Sequence, residues 1–507
     1  MASLTIRLHP ADDVVVAGVD LAPGTPLPGT DVVCRTPVPA GHKVAVRAIT
    51  AGKPVRKYNQ VIGFASAPIE AGEHVHVHNL GMGESFARDL AFGADAHPTD
   101  FVPEAERATF QGIVRPDGRV ATRNYIGVLT SVNCSATAAR MIADQFRARD
   151  LADFPNVDGV VALTHGSGCG MGAQGEAIDM LRRTIAGYAR HPNFAAVLLI
   201  GLGCEVNQID RLIEAEGLEV GETLHTLSIQ DLGGTPAAVR EGVRRIQALL
   251  PKVNDVKRQT VPAGHLTLAL QCGGSDGYSG ITANPALGHA VDLLVRHGGT
   301  AVLSETPEVY GAEHLLTRRA VSREVGEKLV ERIKWWEDYT SRNHGEMNNN
   351  PSHGNKLGGL TTILEKSLGA AAKGGTTNLV EVYKYAEPIT AKGFAYMDTP
   401  GYDPVSATGQ VAGGANVLCF TTGRGSVFGC KPTPSLKLAT NTPLFQRMPD
   451  DMDIDCGPIA TGDATVEEVG LRIFELVLET ASGRKTKSEE LGFGADEFTP
   501  WQMGAVM

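Results

Sequence analysis

One strand–loop–helix–strand pattern near the middle of the chain limits the fold more than any other feature. Residues 265–271 read HLTLALQ, a short apolar run of strand type, and the loop CGGSDGYSG follows at 272–280. The apolar residues of ALGHAVDLLV (286–295) recur at helical spacing, and two glycines end that helix before a second strand, TAVLSE. The pattern predicts a β-α-β unit. Its polar loop lies at the carboxyl end of a strand, where open α/β sheets bind ligands.

Three further strand–loop–helix units precede this one. YIGVLTSV leads to Cys134, VDGVVALT leads to Cys169, and FAAVLLIGLG leads to Cys204. Strands that alternate with helices predict a parallel sheet with right-handed crossovers, so these three thiols should meet at one edge of the sheet. Cys272 holds the equivalent place in the β-α-β unit described above. We therefore predict the four cysteines as ligands of a shared metal, and the alternative is that they are small apolar packing residues.

The first eighty residues have a different organisation. An apolar-x-x-Gly-x-x-apolar pattern recurs at 21–27, 38–44, 49–55 and 69–75, which indicates tight turns between short β segments. The last copy continues as HVHVHN, and strand alternation would place His74, His76 and His78 on one face. We keep His76 and His78 as alternative ligands of a divalent metal. A solvated strand face is the competing interpretation, and His42 in GHK is open to the same two interpretations.

These patterns give a fold class and a division of the chain. We predict an α/β protein in which a small β domain (1–82) and a linker (83–110) precede two α/β domains with mainly parallel sheets (111–258 and 259–507). A chain of 507 residues is long enough for each of these domains to have its own core.

Composition narrows the classes of partner. A formal net charge of −11 argues against nucleic acid or an anionic membrane, and no apolar run is long enough to span a bilayer. The N-terminus lacks the apolar segment of a signal peptide, so we expect a cytoplasmic protein. Eight cysteines in so long a chain indicate reduced thiols or metal ligands rather than a disulfide framework. A small molecule is the expected partner, and the sequence is compatible with a homo-oligomer without fixing the oligomeric state.

Several motifs resemble those of the altronate/galactarate dehydratase family of sugar-acid dehydratases. They occur in order from about residue 6 to residue 483, and they are GHK (41–43), AGEHVHVHN (71–79), RPDGRVATRN (115–124), VNCSAT (132–137), HGSGCG (165–170), GLGCE (201–205), QCGGSDGYSGITANP (271–285), NPSHGNKLGG (350–359) and FTTGRGS (420–426). The resemblance implies an N-terminal SAF-type β-clip domain and a two-part α/β catalytic region. It also implies iron- or manganese-dependent loss of water from an aldonic or aldaric acid. His353 departs from the proline that is common in the family loop, and the VHVHN segment is of the altronate type, which favours altronate over galactarate.

The expected chemistry assigns roles to individual residues. Removing the proton beside an ionised carboxylate and expelling the C3 hydroxyl requires a base, an acid and fixed cations or a metal. The candidates are, for catalysis, His165, Asp276 and Lys356; for substrate binding, Arg123, Ser275, Asn355 and Arg424; and for the metal, the four cysteines or the two histidines named above. The expected cofactor is Fe²⁺ or Mn²⁺, with an iron–sulfur cluster as the alternative. Two other functions stay open: a lyase with a different leaving group, and a ligand-binding or redox-sensing protein without turnover.

Overall fold

The computed structural model describes residues 4–83, 90–147 and 151–504. The N-terminal module consists of two antiparallel sheets, of order β1-β2-β3-β6 and β4-β5-β7. This arrangement confirms the predicted β module. Its strands are β1 (Thr5–Ile6), β2 (Val14–Ala17), β3 (Lys43–Ala45), β4 (Pro54–Lys57), β5 (Gln60–Ala65), β6 (His74–Val75) and β7 (Leu80–Gly81).

The strand predicted over the histidines is shorter than expected. β6 ends at Val75, so His76 and His78 lie in the turn that follows it. Val75 is fully buried, whereas Val77 is 52% exposed and does not join the core as strand alternation would require. The turn nevertheless brings the imidazoles together, as described below.

A small antiparallel sheet of order β14-β8-β9 combines strands that precede and follow the first α/β region in the chain. Its strands are β8 (Thr109–Val114), β9 (Val120–Ala121) and β14 (Arg258–Pro262). The linker predicted at 83–110 includes residues 84–89, which lie outside the described residues. Its later part has a short 3-10 helix at Glu104–Glu106 before β8 begins.

The first α/β region has a four-stranded parallel sheet of order β11-β10-β12-β13. Its strands are β10 (Tyr125–Thr130), β11 (Gly159–Leu163), β12 (Phe194–Gly201) and β13 (Leu224–Ser228), and its helices are α1 (Ala136–Ala143), α2 (Glu176–Ala189), α3 (Ile209–Glu216) and α4 (Thr235–Asn254). β10 is central and is buried throughout, which explains its unbroken apolar sequence. The predicted parallel sheet is confirmed.

The C-terminal region is built on a seven-stranded parallel sheet of order β17-β18-β16-β15-β19-β20-β21. Its strands are β15 (Thr267–Cys272), β16 (Thr300–Leu303), β17 (Leu379–Tyr383), β18 (Gly393–Met397), β19 (Val417–Thr422), β20 (Ser435–Ala439) and β21 (Ile454–Asp455). Its helices are α5 (Ala283–Arg296), α6 (His314–Thr317), α7 (Arg323–Arg342), α8 (His353–Leu357), α9 (Ile363–Ala371), α10 (Asp403–Ala412), α11 (Thr442–Arg447), α12 (Pro458–Thr461), α13 (Val466–Ala481) and α14 (Lys487–Leu491).

The β-α-β unit that opened the sequence argument lies at the centre of this sheet. α5 connects β15 to β16 on one side, and the chain continues from β19, which pairs with the other side of β15, to β20, so the connections after the neighbouring strands β15 and β19 leave in opposite directions. Such a switch in strand order opens a crevice at the carboxyl ends of the strands. Among the helices that the structure describes, none combines the length and apolar composition needed to cross a bilayer.

Candidate functional site

The loop after β15 lies at this switch in strand order. The amides of Gly423 and Arg424, just after β19, both donate to the Gly274 carbonyl, at 3.1 and 2.9 Å. A Cβ atom at Gly273 would come within 2.3 Å of Asp403 Oδ2, so the close approach of the loop to α10 requires glycine there. The loop is therefore fixed across the crevice that the fold predicts for a ligand.

At the carboxyl end of β15, a buried group of side chains forms what we call the inner thiol cluster. It consists of Cys272, Glu305, Glu308, Lys366 and Lys373. Cys272 Sγ lies 3.6 Å from Glu305 Oε2 and 3.2 Å from Glu308 Oε2. Lys373 Nζ pairs with Glu305 Oε2 at 2.9 Å, and Lys366 Nζ pairs with Glu308 Oε1 at 2.8 Å. Each carboxylate thus contacts one ammonium group and one shared thiol.

Glu305 has an unusual backbone and an incomplete set of partners. Its φ of 67° and ψ of 62° are in the left-handed region, which non-glycine residues adopt at an energetic cost of order 1 kcal/mol. Its Oε1 atom is buried without a hydrogen-bond partner among the described residues. Strain and an orphaned oxygen at the same side chain indicate a functional rather than a packing role.

The acidic groups of the inner thiol cluster have different pKa values because their charged neighbours differ. Burial, opposed in part by Lys373, raises the pKa of Glu305 to about 8. Burial alone would also raise the pKa of Glu308, but the charges of Lys366 and Lys373 hold it below its usual value. Burial, and then the charge of Glu305, raises the pKa of the Cys272 thiol well above its ordinary range. In this state Cys272 is a protonated thiol.

The inner thiol cluster contains the one group of three potential metal-ligand side chains found in the described part of the chain. Cys272, Glu305 and Glu308 can each offer one ligand atom, with all three atoms within 4.8 Å of one another, and no other three histidine, cysteine or acidic side chains there do so. The four predicted cysteine ligands therefore do not form one preformed site, since Cys272 lies with two carboxylates instead. Their role as metal ligands stays a prediction.

Asp276 fixes the loop from inside. It is buried, and its carboxylate accepts hydrogen bonds from Thr440 Oγ1 at 3.0 Å, Ser279 Oγ at 3.1 Å and Asn441 Nδ2 at 3.1 Å. Burial raises its pKa despite these donors. A carboxylate with so many partners suits a structural role, and its predicted role as a proton carrier stays untested.

Two further predicted residues join the loop to α8. Asn355 Nδ2 donates to the Ser275 carbonyl at 2.8 Å, and both residues are buried. Asn355 also completes a capping box with Ser352 at the start of α8. These contacts hold α8 against the loop, and contact of Ser275 or Asn355 with a substrate stays a prediction.

The N-terminal module contributes four imidazoles beside α8. The ring centroids of His42 and His74 lie 5.1 Å apart, those of His42 and His76 lie 4.9 Å apart, and those of His74 and His78 lie 5.6 Å apart. His42 Nε2 and His76 Nε2 donate to the carbonyls of Leu357 and Lys356, at 3.2 and 2.9 Å. The structure thus assembles His76 and His78 with two more histidines at the contact between the module and the C-terminal region.

The protonation of these imidazoles follows from their partners. Burial and the neighbouring positive charges lower the pKa of His42, lower that of His74 to about 4, and lower that of His76 to about 3, so all three are neutral at pH 7. Since His42 Nε2 donates to a carbonyl, its Nδ1 is unprotonated and accepts from His74 Nε2 at 3.0 Å. The Nδ1 atom of His74 then carries a lone pair with no recorded partner in the described residues. That atom can accept a proton or bind a metal.

Two predicted cations remain unpaired at the same edge. Arg424 is exposed at the end of β19, and Lys356 is half-buried on α8. The side chain of neither forms an ion pair with a described residue. Both are therefore able to contact an anionic ligand.

The other three cysteines form what we call the outer thiol edge, at the carboxyl ends of β10, β11 and β12. Cys134, Cys169 and Cys204 are exposed. Hydrogen bonds join their loops, because the Asn133 amide donates to the Ser167 carbonyl at 2.9 Å and the Asn207 amide donates to the Gly168 carbonyl at 3.0 Å. The predicted convergence of these loops on one sheet edge is present in the structure.

His165 and Arg123 have different surroundings from those that catalysis or substrate binding would need. His165 is buried, its Nε2 donates to the Thr130 carbonyl at 3.0 Å, and its Nδ1 accepts from the Ser167 amide at 3.2 Å. Arg123 precedes β10 at the opposite edge of the sheet, and its guanidinium pairs with Glu489 at 2.6 and 2.8 Å. Its Nη1 and Nη2 atoms also donate to backbone carbonyls. These positions favour structural roles, and the predicted functions of both residues stay untested.

Sequence reasoning missed four members of the inner thiol cluster. Glu305 and Glu308 lie just after β16 in the sequence SETPE, a position equivalent to that of the cysteines, so the strand-end rule could have found them. Lys366 and Lys373 lie on or beside α9 with no local signal, because they act through contacts with residues about sixty positions away.

The fold and the site define a multidomain α/β protein of the metabolite-binding type, with a small β module that completes a crevice at the edge of a parallel sheet. Sequence models of three domains match the chain: the altronate/galactarate dehydratase SAF domain at residues 3–83, the D-galactarate dehydratase/altronate hydrolase second domain at 112–254, and the D-galactarate/altronate dehydratase C-terminal domain at 263–506. The chain belongs to the galactarate/altronate dehydratase family.

Individual relatives span almost the whole chain. Galactarate dehydratase (L-threo-forming) of Escherichia coli (strain K12) is 40% identical over 498 residues, which cover 96% of this chain and 94% of the relative. Altronate dehydratase of Bacillus subtilis (strain 168) is 34% identical and covers 96% of this chain and 97% of the relative. Altronate dehydratase of Escherichia coli (strain K12) is also 34% identical, with the same two coverages.

Proposed function

We propose that this protein is a hydro-lyase that removes water from a six-carbon sugar acid. The C2 proton and the C3 hydroxyl leave as water, and the resulting enol tautomerises to a 2-keto-3-deoxy acid. The observation that carries this proposal is the chain of neutral imidazoles that ends in a free lone pair on His74, beside the α8 segment that holds Lys356. The names of the full-length relatives support the same reaction.

His74 is the residue that we assign as the proton acceptor. A neutral imidazole with a free lone pair can take the C2 proton, and its hydrogen bond to His42 fixes the ring and its tautomer. Replacement of His74 by Gln should lower kcat by about 10²-fold or more with a smaller change in KM, as expected for loss of a general base.

Lys356 and Arg424 are the residues that we assign to the anionic groups of the substrate. Two unpaired cations, one on α8 and one just after β19, suit a molecule with two carboxylates, and a guanidinium binds a carboxylate with two parallel hydrogen bonds. This pairing, with the 40% identity to the galactarate enzyme, supports galactarate as the first candidate substrate. The histidine segment favours altronate, which is therefore the second candidate.

The residues present fit a divalent metal best at Cys272, Glu305 and Glu308. With Cys272, Glu305, Glu308 and nearby Asp403 all ionised, the site would carry four negative charges, of which Lys366 and Lys373 balance two; burial raises the pKa values of Cys272, Glu305 and Asp403 and so opposes that state in the absence of a further cation. One divalent cation would neutralise the remainder, and the orphaned Oε1 of Glu305 offers it an oxygen. Sulfur and carboxylate donors suit Fe²⁺ or Mn²⁺. When bound, such an ion supplies a Lewis acid for the carboxylate or the departing hydroxyl.

An iron–sulfur cluster on the outer thiol edge is the alternative for the cofactor. Its support is the meeting of three exposed cysteines at the ends of adjacent strands. Measuring iron and acid-labile sulfide in anaerobically purified protein distinguishes a divalent metal at the inner thiol cluster from an iron–sulfur cluster at the outer thiol edge. Serine in place of Cys272 should remove the metal in the first case, and serine in place of Cys134, Cys169 or Cys204 should remove it in the second.

The function is tested with purified protein, anaerobically, supplied with Fe²⁺ or Mn²⁺ and with galactarate or altronate. We expect formation of a 2-keto acid from at least one substrate. Arg424→Ala and Lys356→Ala should each lower kcat/KM by on the order of 10²-fold. Arg211→Ala, which removes an exposed arginine of α3, is the matched control and should leave kcat/KM unchanged. No 2-keto acid from either substrate under any of these conditions would overturn the proposal and leave ligand binding without turnover.

A further inference from the structure

A cavity of about 370 Å³ lies between the first α/β region and the C-terminal region. The His265–Thr267 and Asn416 positions in its wall adjoin the amino ends of β15 and β19. The inner thiol cluster and Arg424 lie at the carboxyl ends of the same strands, so the cavity is separate from the candidate active site. Its volume is within the range of small-molecule sites.

The wall of this cavity is strongly cationic. Its charged residues are Arg119, Arg183, Arg190, Lys392 and a single acid, Glu216. Arg119 pairs with Asp117, which is not part of the wall, so three cations without an ion pair among the described residues face one carboxylate; in a chain with a formal net charge of −11 this is a local reversal of sign. A concave surface of this sign concentrates anions.

Backbone carbonyls hold most of these cations in place without neutralising them. Arg183 Nε donates to the Tyr385 carbonyl at 2.8 Å, and Lys392 Nζ donates to the Gly264 carbonyl at 2.7 Å. Arg190 donates to the carbonyl of Glu216. The terminal nitrogens of Arg183 have no recorded partner within the described residues, and they are free to bind a planar oxyanion with two hydrogen bonds.

Most of the remaining wall is apolar, with polar side chains from His191, His265, Thr267 and Asn416. Val120, Ala386, Ile389 and Ala412 contribute to it, and α2 packs so closely on the end of α10 that a Cβ atom at Gly187 would lie 2.2 Å from the Ala412 carbonyl oxygen. A ligand that fits must therefore combine an apolar body with an anionic group. Because the two walls come from different regions, a molecule bound here would hold them together.

We propose that this cavity binds a small organic anion, a carboxylate or a phosphate ester with an apolar body, through Arg183 and Lys392. Benzoate and phenyl phosphate are suitable probes, and benzamide is the neutral control of the same shape. With the full-length protein, saturation-transfer NMR and calorimetry should give a dissociation constant on the order of 1 mM or tighter for at least one anion. Benzamide should bind at least tenfold more weakly.

Variants locate the binding. Arg183→Met and Lys392→Met should each weaken the binding of the better anion at least tenfold. Lys392 is exposed, so its replacement should leave the fold intact and provides the test if Arg183→Met does not fold. Arg211→Met, outside the cavity, should bind as the wild type does. A preference for benzoate or for phenyl phosphate tells whether the natural ligand is a carboxylate or a phosphate ester. Equal binding of benzamide, or unchanged binding in both variants, would overturn the proposal.

Discussion

The outer thiol edge and the inner thiol cluster occupy the same position in two parallel sheets, yet their surroundings are opposite. The three outer cysteines are exposed, and backbone hydrogen bonds join their loops. Cys272 is fully buried between two carboxylates, and each carboxylate has its own lysine. The position at a strand end is set by topology, whereas the chemistry of the thiol is set by residues that come from elsewhere in the chain.

Under the proposed function the divalent metal lies at the inner cluster, so Glu305→Gln should have the largest effect. The substitution keeps the shape of the side chain but removes the carboxyl group that accepts a hydrogen bond from Lys373 and that, once ionised, offers a charged oxygen donor to a divalent ion. We expect kcat/KM for the preferred sugar acid to fall by about 10³-fold while the circular dichroism spectrum is unchanged.

Glu205→Gln at the outer edge is the matched control. Glu205 is also buried, and it accepts from Ser131 Oγ and the Gly203 amide, each at 2.6 Å, without contacting the inner cluster. Its kcat/KM should remain within about tenfold of wild type. A larger loss of kcat/KM in Glu205→Gln than in Glu305→Gln would indicate that the reaction takes place at the outer thiol edge.

Alkylation should separate the two sets of thiols by rate. Iodoacetamide reacts with thiolates, and burial raises the pKa of Cys272 well above its ordinary range while Cys134, Cys169 and Cys204 are exposed. In metal-free native protein, peptide mass spectrometry should show the outer cysteines modified at least 10²-fold faster than Cys272. Equal rates before unfolding would mean that the inner cluster opens readily to solvent.

Much of the fold could be predicted from the sequence, because strand and helix periods are local. The parallel sheets, the β module and the strand ends that carry Cys134 and Cys272 all follow from patterns within about fifteen residues. Helix starts are harder to predict: asparagine is a common N-cap residue, yet Asn284 lies within α5, which begins at Ala283, and its side chain donates to the Gly369 carbonyl.

The candidate site was harder to predict because its members meet through contacts between distant segments. Lys373 pairs with Glu305, and the histidines of the N-terminal module meet α8 nearly three hundred residues later. Arg123 and Arg424 looked alike in sequence, since both lie beside turn residues. Only the structure shows that Arg123 is enclosed by Glu489 and backbone carbonyls, whereas Arg424 is exposed.

The smallest predicted effect concerns His165 at the outer thiol edge and the pH dependence of the free energy of unfolding. Burial lowers the pKa of His165 from 6.5 to about 4, so below pH 6.5 the unfolded chain binds a proton that the native imidazole does not. The free energy of unfolding should therefore fall as the pH drops from about 6.5 towards 4. At pH 5 the contribution of His165 is about 2 kcal/mol, and urea titrations of His165→Gln should show a pH dependence weaker by that amount.

His191 provides the control that separates an effect on the free energy of unfolding from an effect on the reactivity of the thiols. Its pKa is also lowered to about 4 by burial, and its Nε2 donates to the Ala415 carbonyl at 2.9 Å, away from the three cysteine loops. His191→Gln should weaken the pH dependence of unfolding without changing alkylation of Cys169. His165→Gln should do both, because the His165 ring connects Thr130 to the Ser167 amide and so orders the loop that carries Cys169. If neither variant alters the alkylation rate, hydrogen bonds between the loops are sufficient to order the outer edge, and the neutral imidazole contributes only to global stability.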